Sequence, residues 1–448
     1  MIVAPGGRPI RSLLILGFGV TGRAVAEFSA AHRVRALISE GGSLGERART
    51  WLDARGVPFE EGGHTERFLG QAEAVVLSPG VRADEPVVRA AEAADLPVLS
   101  ELDLATLQVP SLPVVAVTGT NGKGTTVVLI DEILRQAGWH STVGGNIGTP
   151  FVSLLDGVEE LDVIVLEASS YQLEQTRFLK PRVAALLNLT PDHLKRHGTM
   201  AAYAAAKGRL FRRQEPDDVA VLPMALAAVF DQGSARRIFF DAREIALPPG
   251  ADHLAPHNRL NLAAAVCAAC AFNPSIDPKE IDLSTLESAF HLPHRMEEVG
   301  RLDGVRIVND SKSTNADSAV AALRSTDGPA VLLLGGRSKG AGYEALADEI
   351  RRRAVRQEIR SVVLFGEAAA EFEIVFAGAG AVTERASSLE EAVDIGLAAA
   401  APGDSLLLSP ACSSFDAFRN YEARGNAFVE VVRARPGFEE AESKDAGG

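Results

Sequence analysis

The sequence predicts an α/β protein of three domains, each built on a parallel sheet covered by helices. Three observations carry that expectation. At 448 residues the chain is longer than one hydrophobic core usually serves. Short apolar runs alternate with helical stretches, which is the rhythm of βαβ units. The rhythm also restarts twice, after "QVPSLP" at 108–113 and again around "HLPHRME" at 291–297. The expected domains are 1–109, 110–293 and 294–448.

The elements follow in order. "SLLILGFGV" reads as a buried strand, "TGRAVAEFSAAH" as a helix and "VRALIS" as a second strand. "AEAVVLSPGV" gives a strand and turn, "EPVVRAAEAA" a helix and "LPVLS" a strand. The second unit opens with the strand and glycine turn of "VVAVTGTNGKGTT", then a helix through "VVLIDEILRQAG". "LDVIVLEASSYQLE" and "PRVAALLNLTPDH" are two further strands with polar residues at their C-terminal ends, the edge where open α/β sheets bind ligands. "AAYAAAKGRLFRR" and "NRLNLAAAVCAACAF" read as helices. The third unit has strands at "VRIVNDS", "AVLLLGGRS", "SVVLFG" and "DSLLLSPACSSF". The polar tail "RPGFEEAESKDAGG" is expected to be frayed.

Composition narrows the function classes. Hydrophobic residues at 46% and charged residues at 23% are the balance of a soluble globular protein. No apolar run reaches the roughly 18–20 residues of a membrane helix, and the N-terminal stretch reads as a strand rather than a secretory signal. Three cysteines make no disulfide framework, which fits a reducing cytoplasm. A net charge of −14 argues against nucleic acid, while local cations and backbone N–H groups still admit a small anion.

The strongest chemical signal is "VTGTNGKGTT" at 117–126. It differs from the Walker loop at both ends, with Val117 where a glycine is usual and Gly124 directly after Lys123. Between a strand and a helix, Gly119, Gly122 and Gly124 let backbone N–H groups approach phosphate oxygens closely, and Lys123 is placed to reach the terminal phosphates. The G-x-G-x-x-G of Gly17, Gly19 and Gly22 suits a dinucleotide, another anion such as a nucleoside diphosphate, or a packing turn. Ser39-Glu40 stands near the place of the acid a dinucleotide site wants.

Other candidates are single side chains. Glu167 ends an apolar strand and His193 ends the next, either as helix-cap acid and surface histidine or as ligands of a Mg²⁺ ion. Lys207 in "AAYAAAKG" is a solvated helix lysine or a desolvated amine able to form a carbamate. In "NDSKSTNADS", Asp310, Lys312, Thr314 and Asn315 form a polar turn and cap or bind an anionic substrate. Cys267 and Cys270 lie in an apolar helical run and are read as core. His253 and His257 flank Ala255-Pro256 and make a poor zinc pair.

In order along the chain, "GTNGK", "LEASSYQLE", "LNLTPDHLKRHG", "YAAAK", "HNRLN", "LPHRME", "NDSKSTN", "LLLGGRSKG" and "LSPACSSFDAFRNYEARG" resemble the Mur ligases, ATP-dependent amide-bond-forming enzymes of peptidoglycan assembly. "GFGVTG", "LSPGV" and "VGGNIG" are similar to the branch that adds D-glutamate to UDP-N-acetylmuramoyl-L-alanine. The resemblance implies an N-terminal Rossmann-like UDP-sugar domain, a central P-loop ATPase-like parallel sheet and a C-terminal Rossmann-like α/β domain. It also implies ATP and Mg²⁺ as cofactors, and a cytoplasmic monomer with small-molecule substrates.

By the same resemblance, Glu167, His193, Thr125 and a carbamylated Lys207 hold metal. Asn258, Asn261, Arg295 and Asp310 surround the nucleotide, and Thr21, Ser78, Gly80 and Asn146 hold the UDP-sugar. Lys312, Thr314, Lys339, Ser414 and Tyr421 face D-glutamate, with Lys123 and Lys312 supporting the chemistry. Three positions depart from the pattern. Gly124 replaces the usual magnesium hydroxyl and is closer to folylpolyglutamate synthases; Ser39-Glu40-Gly41 replaces an Asp-Thr-Arg run; Arg337 replaces an acid.

Overall fold

Strands of Val, Leu, Ile and Ala that are apolar on both faces are stable only with cover on both sides, and this chain supplies it three times. A computed structural model describes residues 2–227, 230, 233–241, 243–340 and 342–441. Three main sheets are present, each flanked by helices, in the three-domain order that the sequence predicts. The chain groups into two compact units, Met1–Leu189 with Ala201–Leu286, and Thr190–Met200 with Glu287–Gly448.

The first unit holds two sheets. One is five-stranded and wholly parallel, in the order Phe59–Glu60, Arg35–Ser39, Ser12–Leu16, Ala74–Leu77, Val98–Ser100. Chain order reverses direction between Ser12–Leu16 and Ala74–Leu77, so a crevice opens at the C-terminal ends of those two strands. The other sheet is six-stranded and also parallel: Arg236–Phe240, Val219–Pro223, Val183–Leu186, Val114–Thr118, Val163–Glu167, Ser141–Gly145. Its central strand Val114–Thr118 is entirely buried and feeds the helix Lys123–Gln136.

The seven-stranded sheet of the second unit departs from the expected parallel pattern. Val382–Arg385, Ile359–Phe365, Ala330–Gly335, Ser405–Ala411 and Val305–Asn309 run parallel. Glu297–Leu302 and then Phe438–Glu440 are added antiparallel at one edge. The tail expected to fray is therefore a strand through Glu440, because Gly300–Leu302 offers it a free edge; residues 442–448 lie outside the described residues. Cys267 and Cys270 sit in the helix Pro256–Phe272, and burial pushes the Cys267 thiol up to about 12, as befits a core residue. Pro256 occupies the first turn of that helix, which is why His253 and His257 share no helical face. Among the described residues no helix is long and apolar enough to cross a membrane.

Two buried carboxylates join the sheets of the first unit. Asp103, at the third position of the helix Glu101–Gln108, closes a capping box with Ser100 and accepts from the backbone N–H groups of Arg177 and Phe178 at 2.6–2.9 Å. Glu101 accepts from Val152 N at 2.6 Å, and its other oxygen is buried without a partner among the described residues. Burial pushes its carboxyl up to about 7, against the Val152 hydrogen bond and together with the charge of Asp103. A folded value above the ordinary 4.5 gives stability that is complete below the lower value and lost as pH rises through the higher one. Urea titrations across pH 4–8 should show stability falling by up to about 3 kcal/mol from this group. Glu101→Gln should flatten that fall; an unchanged profile would show that Glu101 titrates normally.

Candidate active site

The strand Val114–Thr118 delivers the glycine loop to the C-terminal edge of its sheet, and the helix Lys123–Gln136 starts at Lys123 itself. Gly122 has a φ of +85°, and a Cβ there would stand 2.3 Å from Asn261 Oδ1, so the position requires glycine on both counts. Asn188, a residue the sequence reading passed over, pins the loop from the neighbouring strand's extension. Its side chain accepts from Asn121 N at 2.9 Å and donates to Asn121 O at 3.0 Å, while its carbonyl accepts from Thr120 N at 3.2 Å. A carboxamide placed where a loop needs both a donor and an acceptor is a signal that "LNLT" carries only once the partner loop is known.

The two threonines after Gly124 have different surroundings. Thr126 Oγ1 donates to Gly122 O at 3.0 Å, within the first helical turn. Thr125 Oγ1 is buried and has no hydrogen-bond partner among the described residues, and Asn261 Nδ2 is in the same condition. An orphaned buried hydroxyl costs about 1–3 kcal/mol, so Thr125 is suited to a ligand in a way that Thr126 is not.

Lys207 is not a solvated helix lysine. Only 1% of it is exposed, at the end of the helix Met200–Gly208, and its Nζ donates to Gly119 O at 2.7 Å. The Tyr203 ring lies 4.7 Å from that nitrogen, and Tyr203 Oη is 3.2 Å from Thr120 Oγ1. Lys123 Nζ donates to the same Gly119 carbonyl at 3.0 Å and to Thr120 O at 2.9 Å. Two ammonium groups therefore converge on one carbonyl, a concentration of positive charge suited to an anion. Glu167 closes the next strand, buried, and accepts from Asn146 Nδ2 at 2.7 Å; Asn146 N also bonds Glu167 O at 2.9 Å. Asn258 lies in the first turn of the helix that carries Asn261.

In the five-stranded sheet the G-x-G-x-x-G forms a packed turn at the switch-point crevice. A Cβ on Gly22 would stand 2.0 Å from Gly17 O, and Ser78 Oγ donates to that same carbonyl at 2.9 Å. Glu40 accepts from Phe18 N at 2.7 Å and Gly42 N at 3.0 Å, so its carboxylate serves the loop's own backbone. Ser39 Oγ donates to Glu60 at 2.7 Å. Thr21 and Gly80 stand at the open side, half-buried and exposed.

The second unit gathers a separate group. The strand expected through "LTPDH" stops at Leu186, because residues after it turn away to meet the loop and Pro191 has no ladder donor. His193 therefore ends no strand; it caps the turn Leu194–His197 with a φ of +54°. Next to it Asp192, also missed from sequence, is 3% exposed. Its oxygens lie 3.2 Å from Lys339 Nζ and 3.5 Å from His193 Nε2, and accept from Asn315 Nδ2 at 3.2 Å. Burial alone would raise this carboxyl, but Lys339 and His193 hold it below the usual range. Lys339 also donates to Thr314 Oγ1 at 3.1 Å.

Asp310 follows the strand Val305–Asn309. Burial pushes its carboxyl up to about 6, opposed by the hydrogen bond from Ser409 Oγ at 2.8 Å and by the charge of Arg295. Lys312 Nζ lies 5.4 Å from the centre of the Tyr421 ring. Arg424, unremarked in the sequence, is wholly buried and bonds Ser311 O at 2.9 Å, Ser311 Oγ at 3.0 Å, Cys412 O at 3.1 Å and Gly335 O at 3.3 Å. It thereby ties together the three loops that carry Lys312, Lys339 and the buried Ser414. Arg337, the departure in the glycine pair's loop, forms an exposed two-pronged pair with Glu367 at 2.8 and 2.9 Å.

Comparison with known proteins places all three α/β units in one family. The profile described as MurD N-terminal domain matches residues 12–87, Mur ligase middle domain matches 117–240, and the Mur ligase glutamate ligase domain matches 294–412. A UDP-N-acetylmuramoylalanine–D-glutamate ligase of Pelotomaculum thermopropionicum is 38% identical over 94% of this chain and 97% of its own. Relatives of the same name from Koribacter versatilis and Salinibacter ruber are 36% and 37% identical, over 94% and 93% of this chain and 97% and 96% of theirs. The chain belongs to the Mur ligase family.

Solved Mur ligases share the fold at low identity. MurC of Thermotoga maritima aligns with a TM-score of 0.57 at 18% identity over 95% of this chain and 99% of its own. MurF of Thermotoga maritima, solved with ADP, gives 0.54 at 16% identity over 88% and 93%. In this Mur ligase the middle-domain match contains the loop, Glu167, His193 and Lys207, while the match at 294–412 contains Arg295, Asp310, Lys312, Thr314 and Lys339.

The contrast between the threonines is testable without substrates. Thr125→Val should stabilise the ligand-free protein by about 1 kcal/mol in urea unfolding, by removing an orphaned hydroxyl. Thr126→Val should destabilise it by about as much, by removing a hydrogen bond. Equal effects would mean that the two hydroxyls are equivalent.

Proposed function

We propose that this Mur ligase joins D-glutamate to UDP-N-acetylmuramoyl-L-alanine at the expense of ATP, in cytoplasmic peptidoglycan precursor synthesis, as a monomer. The observation that carries the reading is the match to relatives of that name along nearly the whole chain, the N-terminal segment included. The domains 1–109, 110–293 and 294–448 would bind UDP-sugar, ATP and amino acid in turn.

In the reaction the L-alanyl carboxylate attacks the γ-phosphorus and ADP leaves. The amine of D-glutamate then attacks the resulting acyl phosphate; the amide forms, phosphate departs and the amine loses a proton. An anion attacking an anion needs positive charge fixed in advance, which Lys123 supplies at the loop and Lys312 in the second unit. Gly119, Thr120, Asn121, Gly122 and Gly124 supply backbone N–H groups and their close approach, with Asn258, Asn261, Arg295 and Asp310 about the nucleotide. Thr21, Ser78, Gly80 and Asn146 hold the UDP-sugar. Thr314, Lys339, Ser414 and Tyr421 orient the amino acid, with Asp192 keeping Lys339 in place.

The donor types proposed for the metal, a hydroxyl, a carboxylate and an imidazole, are ones Mg²⁺ accepts. Thr125 offers a buried hydroxyl with no other partner, and Glu167 and His193 offer a carboxylate and an imidazole. Bound there, the ion would neutralise phosphate charge. Carbamylation would turn Lys207 from cation to anion, relieving its crowding with Lys123 at Gly119 and providing an oxygen ligand.

Phosphate release from ATP and Mg²⁺ with UDP-N-acetylmuramoyl-L-alanine should depend on D-glutamate, and neither other amino acids nor folates should replace it. Release indifferent to D-glutamate would refute the assignment. Lys207→Ala should lose nearly all activity, at least about a hundredfold, the scale on which a metal site's supporting groups matter. A short carboxylic acid should restore part of it, whereas full activity in the plain variant would exclude the carbamate.

A further inference from the structure

A second basic site lies in the first unit. A cavity of about 580 Å³ is lined by Arg177, Arg209, Arg212 and Arg213 against one carboxylate, Glu174. None of Gly17, Gly22, Ser78, Gly80, Asn146 or the glycine loop lines it. In a chain of net charge −14, four converging guanidinium groups are not an average sample of the surface.

Two of the four are already engaged. Arg177 Nη2 pairs with Glu92 at 2.7 Å. Arg213 Nε donates to Arg177 O at 2.5 Å, with its guanidinium 5.1 Å from the Phe178 ring centre. Arg209 and Arg212 have no ion-pair partner among the described residues. The guanidinium of Arg209 is pushed below its ordinary value by burial first and then by the charge of Arg212, with Glu174 pulling the other way. An anion would relieve that repulsion.

Gln175 adds a second requirement. Gln175 lines the same cavity and is 6% exposed; its Nε2 donates to Val81 O, and its Oε1 is buried without a hydrogen-bond partner among the described residues. That oxygen needs a donor, which a bare anion lacks and a hydroxyl supplies. The remaining walls are apolar, from Leu77, Val88 and Val98.

We propose that this cavity binds a phosphorylated sugar or polyol, with the phosphate on Arg209 and Arg212 and a hydroxyl donating to Gln175 Oε1. The site touches two places that the ligase reaction uses. Leu210 N bonds the carbonyl of Lys207 at 3.1 Å, so the turn that carries Arg209 continues from the buried lysine. Val81, held by Gln175, follows Ser78 and Gly80 directly. Occupancy would thus brace both the Lys207 helix end and the Ser78 turn.

Glucose 6-phosphate is the probe, titrated calorimetrically into the full chain saturated with ADP and Mg²⁺. Saturable binding is expected at millimolar concentrations or below, and Arg212→Gln, an exposed change, should weaken it about tenfold, the scale of one charge-assisted hydrogen bond. Lys123→Ala should leave it unchanged. Gln175→Leu should erase the preference for glucose 6-phosphate over inorganic phosphate. No saturable heat, equal binding by Arg212→Gln, or loss in Lys123→Ala would overturn the proposal. Equal affinity of the native chain for inorganic phosphate would overturn the part given to Gln175.

Discussion

Lys207 is an ammonium group shut inside the protein, and the Gly119 carbonyl 2.7 Å away is the contact that holds it. Burying a charge is costly unless oriented dipoles replace the lost water. Here the replacement comes from the turn between the central strand and its helix, so the lysine and the loop fix one another. Asn188 and Asn261 complete the arrangement, the first by matching Asn121 on both sides of its peptide group, the second by filling the space that Gly122 leaves. The loop is thus set by three surrounding segments before any ligand arrives.

The second unit solves a similar problem with Arg424. Among the described residues no carboxylate pairs directly with this buried guanidinium; its hydrogen-bond partners are carbonyls and a hydroxyl from three loops, and burial pushes it down to about 10 against the more distant charges of Asp416 and Asp310. An arginine is suited to this because its planar fork reaches several oxygens in fixed directions. Asp192 performs the complementary task as a buried anion among Lys339, His193 and Asn315. At each of these places a buried charge ties loop ends into a defined surface.

Much of the fold was legible because it rests on local pattern. Buried parallel strands are continuous apolar runs, and glycines between strand and helix mark the turns, so three α/β domains and their order followed from reading along the chain. The antiparallel edge did not, since Glu297–Leu302 and Phe438–Glu440 are polar enough to pass for loop and tail. The position of His193 was also misread, because the strand before it ends where the chain turns to serve the phosphate loop.

The sequence by itself determined the family, the glycine loop and the residue types that chemistry of this kind needs, because these depend on spacing along one strand–turn–helix unit. Only the tertiary structure decided which of two adjacent threonines is left without a partner, that Lys207 is buried and not solvated, and that Asn188, Asp192 and Arg424 hold the loops. The burial of Lys207 and the holds of Asn188, Asp192 and Arg424 each involve a partner tens of residues or more away. Spacing along the chain cannot encode a distance that exists only after the sheets have formed.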